Sequence, residues 1–376
     1  MIPFNKPYIT GKEVHYIYDA VASGHISGNG KYTEKCQKYF EEKWGFKKTL
    51  LTTSCTDALE MCALLLDVKP DDEIIVPSYT FVSTALAFVR QGAKIIFADS
   101  KKNTPGLDED NLEHLITPKT IAIVPVHYAG VACDMEKIMN LARKYKLFVV
   151  EDAAQAIDSY FTGKDGIRRP LGSIGHLAAF SFHETKNLQC GEGGMLAIND
   201  DRFIKRAEII WEKGTNRAEF FRGEINKYGW VDTGSSFLPS EVTAAFLWAQ
   251  IEHIESIQRK RLEIWHKYFD LLQDLETMNL CQLPLIPEYA TNNAHMFYLI
   301  SQNSDHRQEL INKLKSNGIM AVFHYLSLHK SPYYKNKYNG GDLINADKYT
   351  DCLLRLPLYY ELTDDEIINV TNALKH

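Results

Sequence analysis

Long apolar runs are missing from this chain of 376 residues. Stretches such as Met61–Leu66 fall far short of the roughly 18 residues that a membrane span needs, so no membrane partner is expected. Residues 1–14 lack the apolar core of a secretory signal. Cysteine is sparse and unpaired in pattern: seven residues at 36, 55, 62, 133, 190, 281 and 352, an odd number with no C-x-x-C. That excludes a disulfide frame and a zinc site, and points to reduced thiols in a cytoplasmic protein. One-sided basic charge is absent too. The net charge is −6 and the basic residues are spread along the chain, so no nucleic-acid partner is expected. Three familiar motifs are only approached. "GHISGNGK" lacks the spacing of a phosphate loop, and Tyr32 follows its lysine. "HETKN" opens like H-E-x-x-H, but Asn187 stands where the second metal ligand belongs. No strand leads into "SGNG", so it reads as a glycine turn and no dinucleotide fingerprint.

What is present is a soluble globular composition, 45% apolar and 24% charged. From Thr49 short aliphatic runs alternate with amphipathic stretches. The runs cover 49–53, 73–77, 94–98, 120–125 and 147–152, and helices are predicted over 56–66, 80–91, 108–116 and 134–144. This alternation argues for βαβ units on a mainly parallel sheet. Two further runs, 177–182 and 194–199, flank a loop that contains Lys186. After Ser240 the texture becomes a long helix with one break, and shorter elements follow: "HMFYLI", a helix over 305–316 and "IMAVFHY". The expected division is a large domain over 1–250 and a smaller α+β domain over 251–376. No internal repeat or low-complexity tract interrupts it.

Three motifs carry chemistry. "TTSCTDALEMCALLL" runs from a strand into a helix, and Ser54-x-x-Asp57 has capping-box form. The same geometry serves a well-capped helix or an anion site made by free N–H groups with the Ser54 and Thr56 hydroxyls. "VVEDAAQ" puts Asp152 at the carboxyl end of a strand, where open α/β sheets bind ligands, and Gln155 three residues on. Asp152 reads either as a helix cap or as a partner for a cationic ring nitrogen. "SFHETKNLQCGEGG" carries Lys186, a lysine in a buried-looking segment, which is a liability unless its amine does chemistry. A lysine nucleophile, a strand-end carboxylate and a helix-end phosphate site form the set that pyridoxal phosphate (PLP) needs. Phe81, in "PSYTFVST", is either plain core or a ring lying on the cofactor.

Together "TSCTDAL", "PSYTFVST", "VVEDAAQ" and "FSFHETKN…GEGG" resemble the DegT/DnrJ/EryC1/StrS family of PLP-dependent sugar aminotransferases, in the family order and along nearly the whole chain. The segments "VHYAGVAC", "EKGTNR", "AHMFY" and "MAVFHY" carry a closer match to the branch that acts on dTDP-linked 4-keto-6-deoxyhexoses. The resemblance implies the type I aminotransferase fold, an α/β domain with a mainly parallel seven-stranded sheet plus a small C-terminal domain. It implies Lys186 as the Schiff-base lysine and proton carrier, Asp152 on the pyridine nitrogen, Gln155 on the ring's 3-oxygen and Phe81 stacked on the ring. Ser54, Cys55, Thr56 and Ser181 would hold the phosphate. It also implies a homodimer with the active site between subunits. Many relatives have Gly-Tyr-Asn-Tyr where this chain has "GSSF", so Ser236 stands in place of an Asn that reaches the partner's phosphate, with a shorter reach. The implied substrates are a nucleotide-linked 4-keto-6-deoxyhexose and L-glutamate. Rival readings are amination at another carbon or with the opposite configuration, a dehydratase of the same family, which would carry His in place of Lys186, and a ligand-binding relative without catalysis. His127, Tyr128, His324 and His329 are the candidates for lining a sugar pocket, each also readable as a core or surface residue.

Overall fold

A computed structural model describes residues 1–375. Across the seven-stranded sheet the order is Lys48–Thr52, Gly194–Ile198, Leu177–Ser181, Phe148–Asp152, Thr120–Ile123, Glu73–Pro77 and Lys94–Ala98. From Leu177–Ser181 to Lys94–Ala98 all pairings are parallel, while Gly194–Ile198 runs antiparallel to both neighbours. Successive side chains of a strand point to opposite faces. Ile74 and Val76 therefore enter one apolar core and Ile75 the other, and Leu50 and Leu51 divide the same way. A strand apolar on both faces is stable only between two such layers, which is why these runs read as unbroken aliphatics.

Helices Cys55–Leu65 and Met135–Tyr145 lie within one or two residues of their predicted spans. The helix expected over 80–91 is shorter, Ser83–Val89, because residues 78–82 form the turn that leaves the strand. The 108–116 segment winds as a tighter 3₁₀ stretch, Glu109–Leu115, capped by the Asp108 carboxylate, which accepts the Asp110 N–H at 3.2 Å. The long helix from Ser240 breaks into Glu241–Ile251 and Ile254–Thr277. Two helices with no forecast, Glu13–Ala22 and Lys31–Trp44, precede the sheet.

A second, four-stranded sheet is antiparallel throughout, in the order Cys281–Gln282, Phe297–Ser301, Leu353–Leu356 and Val322–Phe323. Of the run 319–325 only Val322 and Phe323 pair as strand. Its core includes Trp265, Tyr268, Phe297 and Leu354. Helix Ile254–Thr277 packs Ile254 and Ile257 on the large-sheet core and residues from Ile264 onward on this one. The division drawn after residue 250 falls in the last turn of helix Glu241–Ile251, just ahead of a helix that packs on both cores.

The glycine turn that imitates a phosphate loop holds a carboxylate of its own chain. Glu241 accepts the N–H groups of Gly30 (2.9 Å), Tyr32 (2.7 Å) and Thr33 (3.1 Å), and the Thr33 hydroxyl, at the start of helix Lys31–Trp44. A Cβ at Gly30 would lie 2.8 Å from the Glu241 carboxyl carbon, so glycine is what admits the anion. An anion at a helix N-terminus satisfies the orphan donors there. Among the described residues no helix is long and apolar enough to cross a membrane.

Candidate active site

A cavity of ≈ 790 Å³ opens between the carboxyl ends of the large-sheet strands and the second sheet. It is lined from the large-sheet side by Ser54, Cys55, Thr56, Asp152, Gln155 and Lys186, with Phe81 and Ser181 beside them. The sequence spread these residues over more than a hundred positions. The sheet gathers them because each follows or ends a neighbouring strand.

Strand Lys48–Thr52 turns at Ser54 into helix Cys55–Leu65. Ser54 Oγ accepts the Asp57 N–H at 3.1 Å, the cap that the spacing predicts, and Ser54 O accepts the Ala58 N–H at 3.2 Å. The Cys55 and Thr56 N–H groups, at the first helical positions, are left for a ligand. Thr56 Oγ1 and Ser83 Oγ are hydrogen-bonded at 2.7 Å beside them. A Cβ on Gly194 would lie 2.3–2.4 Å from the Ser54 and Cys55 backbone, so the antiparallel strand can abut this turn only as glycine.

Asp152 is buried at its strand end. Its Oδ2 accepts from Thr84 Oγ1 at 2.7 Å and its Oδ1 from the Ala154 N–H at 3.2 Å. Burial raises its pKa, while these bonds and the nearby Lys186 and His127 oppose the rise. Gln155 Oε1 accepts the Ala129 N–H at 2.6 Å, and its Nε2 donates to the Tyr325 hydroxyl at 2.9 Å. Lys186 is half-buried in the loop between Leu177–Ser181 and Gly194–Ile198. Burial pushes its amine pKa down, against the pull of Cys55 and Asp152. The amine makes no hydrogen bond or ion pair among the described residues. The loop is pinned by Asn187, whose Nδ2 donates to Gln258 Oε1 and to Asn293 O, both at 2.8 Å. The residue in the second-ligand place of the failed zinc motif is therefore a structural tie.

This donor set fits PLP on chemical grounds. Backbone N–H groups and hydroxyls suit the phosphate, an unpartnered amine suits the aldehyde, and a buried carboxylate suits the ring nitrogen.

Four of the forecast residues are not on the cavity wall. His127 is fully buried beneath Asp152, with Nε2 2.8 Å from Glu151 Oε2. Tyr128 lies one layer back, its hydroxyl 2.6 Å from His324 Nδ1. His329 is buried elsewhere, with Nδ1 2.7 Å from Ser78 Oγ. Ser236 is exposed in a bridge to Glu212, outside the cavity of a single chain. His324 does line the wall, stacked on Tyr325 with ring centroids 3.5 Å apart, and burial drives its pKa well down. Sequence reasoning missed Arg355, His295, Tyr325 and Phe4 on the second-sheet wall, and Thr84, which orients Asp152. Arg355 carried a readable signal, since it interrupts "LLRLPL" as Lys186 interrupts its own segment. Phe4 carried none.

The chain is 32% identical over 386 residues to the spore coat polysaccharide biosynthesis protein SpsC of Bacillus subtilis, covering 100% of this chain and 96% of that one. Two solved structures superpose over its full length. One is the PLP form of Spr1654 from Streptococcus pneumoniae, with 26% identity, TM-score 0.89 and 97% of that chain covered. The other is DesV from S. venezuelae, with 28% identity, TM-score 0.89 and 97% of that chain covered. Residues 7–375 match the DegT/DnrJ/EryC1/StrS aminotransferase family, and the chain belongs to it, as a PLP-dependent sugar aminotransferase of the type I α/β fold.

Proposed function

We propose that this aminotransferase acts on dTDP-4-dehydro-6-deoxy-D-glucose with L-glutamate as donor, giving dTDP-4-amino-4,6-dideoxy-D-galactose and 2-oxoglutarate. The observation that carries the reading is the unpartnered Lys186 amine in one cavity with Asp152 and the free helix start at Cys55 and Thr56. The sugar assignment rests on the closer likeness of "VHYAGVAC", "EKGTNR" and "MAVFHY" to the dTDP-sugar branch. A product of this kind feeds a surface polysaccharide such as enterobacterial common antigen or O-antigen, in the cytoplasm.

When bound, PLP supplies a carbonyl that takes up the amino group and a ring that accepts the electrons released at the donor carbon. Lys186 Nζ takes the proton from the glutamate α-carbon and, in the second half of the reaction, delivers one to carbon 4 of the sugar. A lowered pKa suits it to that duty, because more of the amine is unprotonated near neutrality. Asp152, oriented by Thr84, holds the ring nitrogen's proton by charge. Gln155 holds the 3-oxygen side of the ring, and Phe81 covers a ring face. Ser54, Cys55, Thr56 and Ser181 bind the phosphate. His324, fixed by Tyr128, faces the sugar.

The functional unit is a homodimer. Phe81, Val82 and Leu86 are exposed at one mouth of the cavity, and Phe221, Trp230 and Val231 are exposed on the segment before Ser236. Exposed apolar groups of this extent are what a subunit interface covers. Ser236 then reaches the partner's phosphate.

The deciding assay gives enzyme, PLP and glutamate a panel of nucleotide keto sugars, the free sugar and common keto acids, with products identified by NMR. Amination at carbon 4 with galacto configuration is expected, and remote nucleotide contacts make the free sugar a poor acceptor. A gluco product or a 3-amino product would correct the substrate. Equal rates with free sugar, or a preference for a keto acid, would overturn the reading, and cofactor binding without any amine transfer would make the chain a sensor.

A further inference from the structure

The way the Asn187 amide is spent fixes the state of a histidine on the cavity wall. Asn187 Nδ2 donates to the Asn293 carbonyl and to Gln258 Oε1, both at 2.8 Å. A backbone carbonyl can only accept, so that bond settles which end of the amide is nitrogen. Asn187 Oδ1 is then an acceptor, and it lies 3.1 Å from His295 Nδ1. The ring therefore carries a proton on Nδ1. Burial keeps the imidazole neutral, and the Lys186, Arg261 and Arg355 cations near it push the same way. A neutral imidazole has one N–H, so Nε2 is left as a bare lone pair.

The His295 backbone is clamped as well. Its N–H donates to Asn293 Oδ1 at 3.0 Å, and its carbonyl accepts from Arg261 Nη2 at 2.8 Å. Asn293 Nδ2 donates in turn to the Gln155 and Ile157 carbonyls, both at 2.8 Å. Asn187, Gln258, Arg261 and Asn293 are all buried. His295 itself is 8% exposed and lines the cavity with Lys186. Among the described residues nothing donates to Nε2. A buried acceptor held this firmly and left unpaired is costly, and it is retained where a ligand brings the donor.

We propose that His295 Nε2 accepts a hydrogen bond from a hydroxyl of the acceptor sugar and so selects for a sugar at this point of the cavity. This rests on the acceptor being a sugar and not on which sugar it is. A lone pair accepts only from a donor, and sugar hydroxyls are donors. The carboxylates of glutamate and 2-oxoglutarate only accept. Set against Nε2, a carboxylate would leave two acceptors facing each other. His295 thus favours the sugar over a keto acid in the second half of the reaction and takes no part in the first. A site built to bond a substrate hydroxyl rejects an analogue without one more strongly than a pocket that only measures size. Asn187 follows Lys186 in the chain, so the amide that sets the ring's proton also holds the loop of the proton carrier.

The test has two arms. In the first, cofactor-loaded enzyme labelled with ¹⁵N in histidine is examined by long-range ¹H–¹⁵N spectra, with the His295 signals assigned by their loss in His295→Asn. Nδ1 should be protonated and Nε2 bare. Adding the nucleotide keto sugar should shift Nε2, and adding 2-oxoglutarate should not. A proton on Nε2, or no response to a sugar that binds, would overturn the proposal. The second arm measures the two halves separately in single turnovers. The donor half starts from glutamate. The acceptor half starts from the keto sugar with enzyme already carrying the amino group. His295→Asn keeps a donor where Nδ1 stood and removes the cavity acceptor. It should weaken half-saturation by the sugar on the order of 10- to 100-fold and affect the donor half far less. His295→Gln places an amide oxygen near the Nε2 position and should recover part of the loss. Equal losses in both halves would assign Nε2 to the Lys186 amine and sink the idea. A wild type that takes the amine from glutamate but rejects every sugar would refute the substrate reading, while the position of the ring proton would still decide whether His295 is an acceptor.

Discussion

On the large-sheet wall of the cavity Asp152 accepts hydrogen bonds from Thr84 and from the Ala154 N–H, and both ends of the Gln155 amide are occupied. On the second-sheet wall Arg355 Nε has no partner, and burial, helped by the nearby Lys186 and Arg355 cations, pushes the His295 and His324 pKa values well down. The difference is one of permanence. A wall that serves a resident group can be finished largely by the chain itself, with the Asp152 carboxylate and the Gln155 amide held by neighbours before the ligand comes and the Lys186 amine left open. A wall that serves ligands that arrive and leave keeps charge unspent, because a built-in counter-ion would compete with them. Preorganised dipoles need no reorganisation at the moment of reaction, so rigidity belongs on the side where the chemistry is constant.

The sharpest way to break this comparison is Lys186→Ala. Removing the proton carrier should lower amine transfer by about 10⁴-fold or more, read as 2-oxoglutarate release under saturating PLP. Activity retained at a tenth of wild type would move the chemistry to another group. Next comes Asp152→Asn, which keeps the hydrogen bond from Thr84 but removes the charge. Turnover should fall about 10²–10³-fold with cofactor binding largely kept, as measured by equilibrium titration with PLP. If binding and turnover fell together, Asp152 would be holding the site's shape and not its electrons.

Glu241→Ala separates carboxylates that serve the fold from those that serve the site. It orphans three buried N–H groups at the head of helix Lys31–Trp44. Stability should drop by about 3 kcal/mol, measured as a shift of the urea midpoint, with half-saturation by PLP unmoved. The pH dependence comes next in size. Burial lowers the Lys186 pKa, so its amine loses its proton at lower pH than a free lysine would. The rate of the donor half should climb about tenfold per pH unit while the amine is protonated and level off once it is neutral, below the ordinary lysine value near 10.4. A limb at that ordinary value would show an amine in open water. The smallest effect is expected from Ser54→Ala, which removes the cap bond to Asp57. It should lower stability by about 1 kcal/mol, read as a small fall in Tm, and loosen the cofactor slightly.

Much of the large-sheet wall was legible in the chain. Seven strands were readable because each is a short aliphatic run, and a strand buried on both faces needs no more specific signal than that. Ser54, Asp152 and Lys186 were legible because each is a polar residue at the end of such a run, where its backbone position already implies a site. The second sheet was harder. "IMAVFHY" was legible only as a short element: Val322 and Phe323 pair with Leu353–Leu356, and Ile319 makes an isolated bridge to Ile2, a partner no local pattern announces. His127 and His329 were read as pocket residues because a histidine near a motif invites it. Both are consumed by buried neighbours, Glu151 and Ser78, that lie 24 and 251 positions away.

Sequence alone therefore determined the βαβ alternation, the capped helix at Ser54 and the motif order that marks the family. These depend on local periodicity and on residues near one another in the chain. Only the tertiary structure decided that Glu241 fills the glycine turn at residues 28–31, that Asn187 is a tie and no ligand, and that Arg355 and Phe4 meet on the wall of the cavity that Lys186 lines. Each of these depends on which charge or cavity lies opposite, and that is set by packing between elements 71 or more residues apart, where no spacing rule reaches.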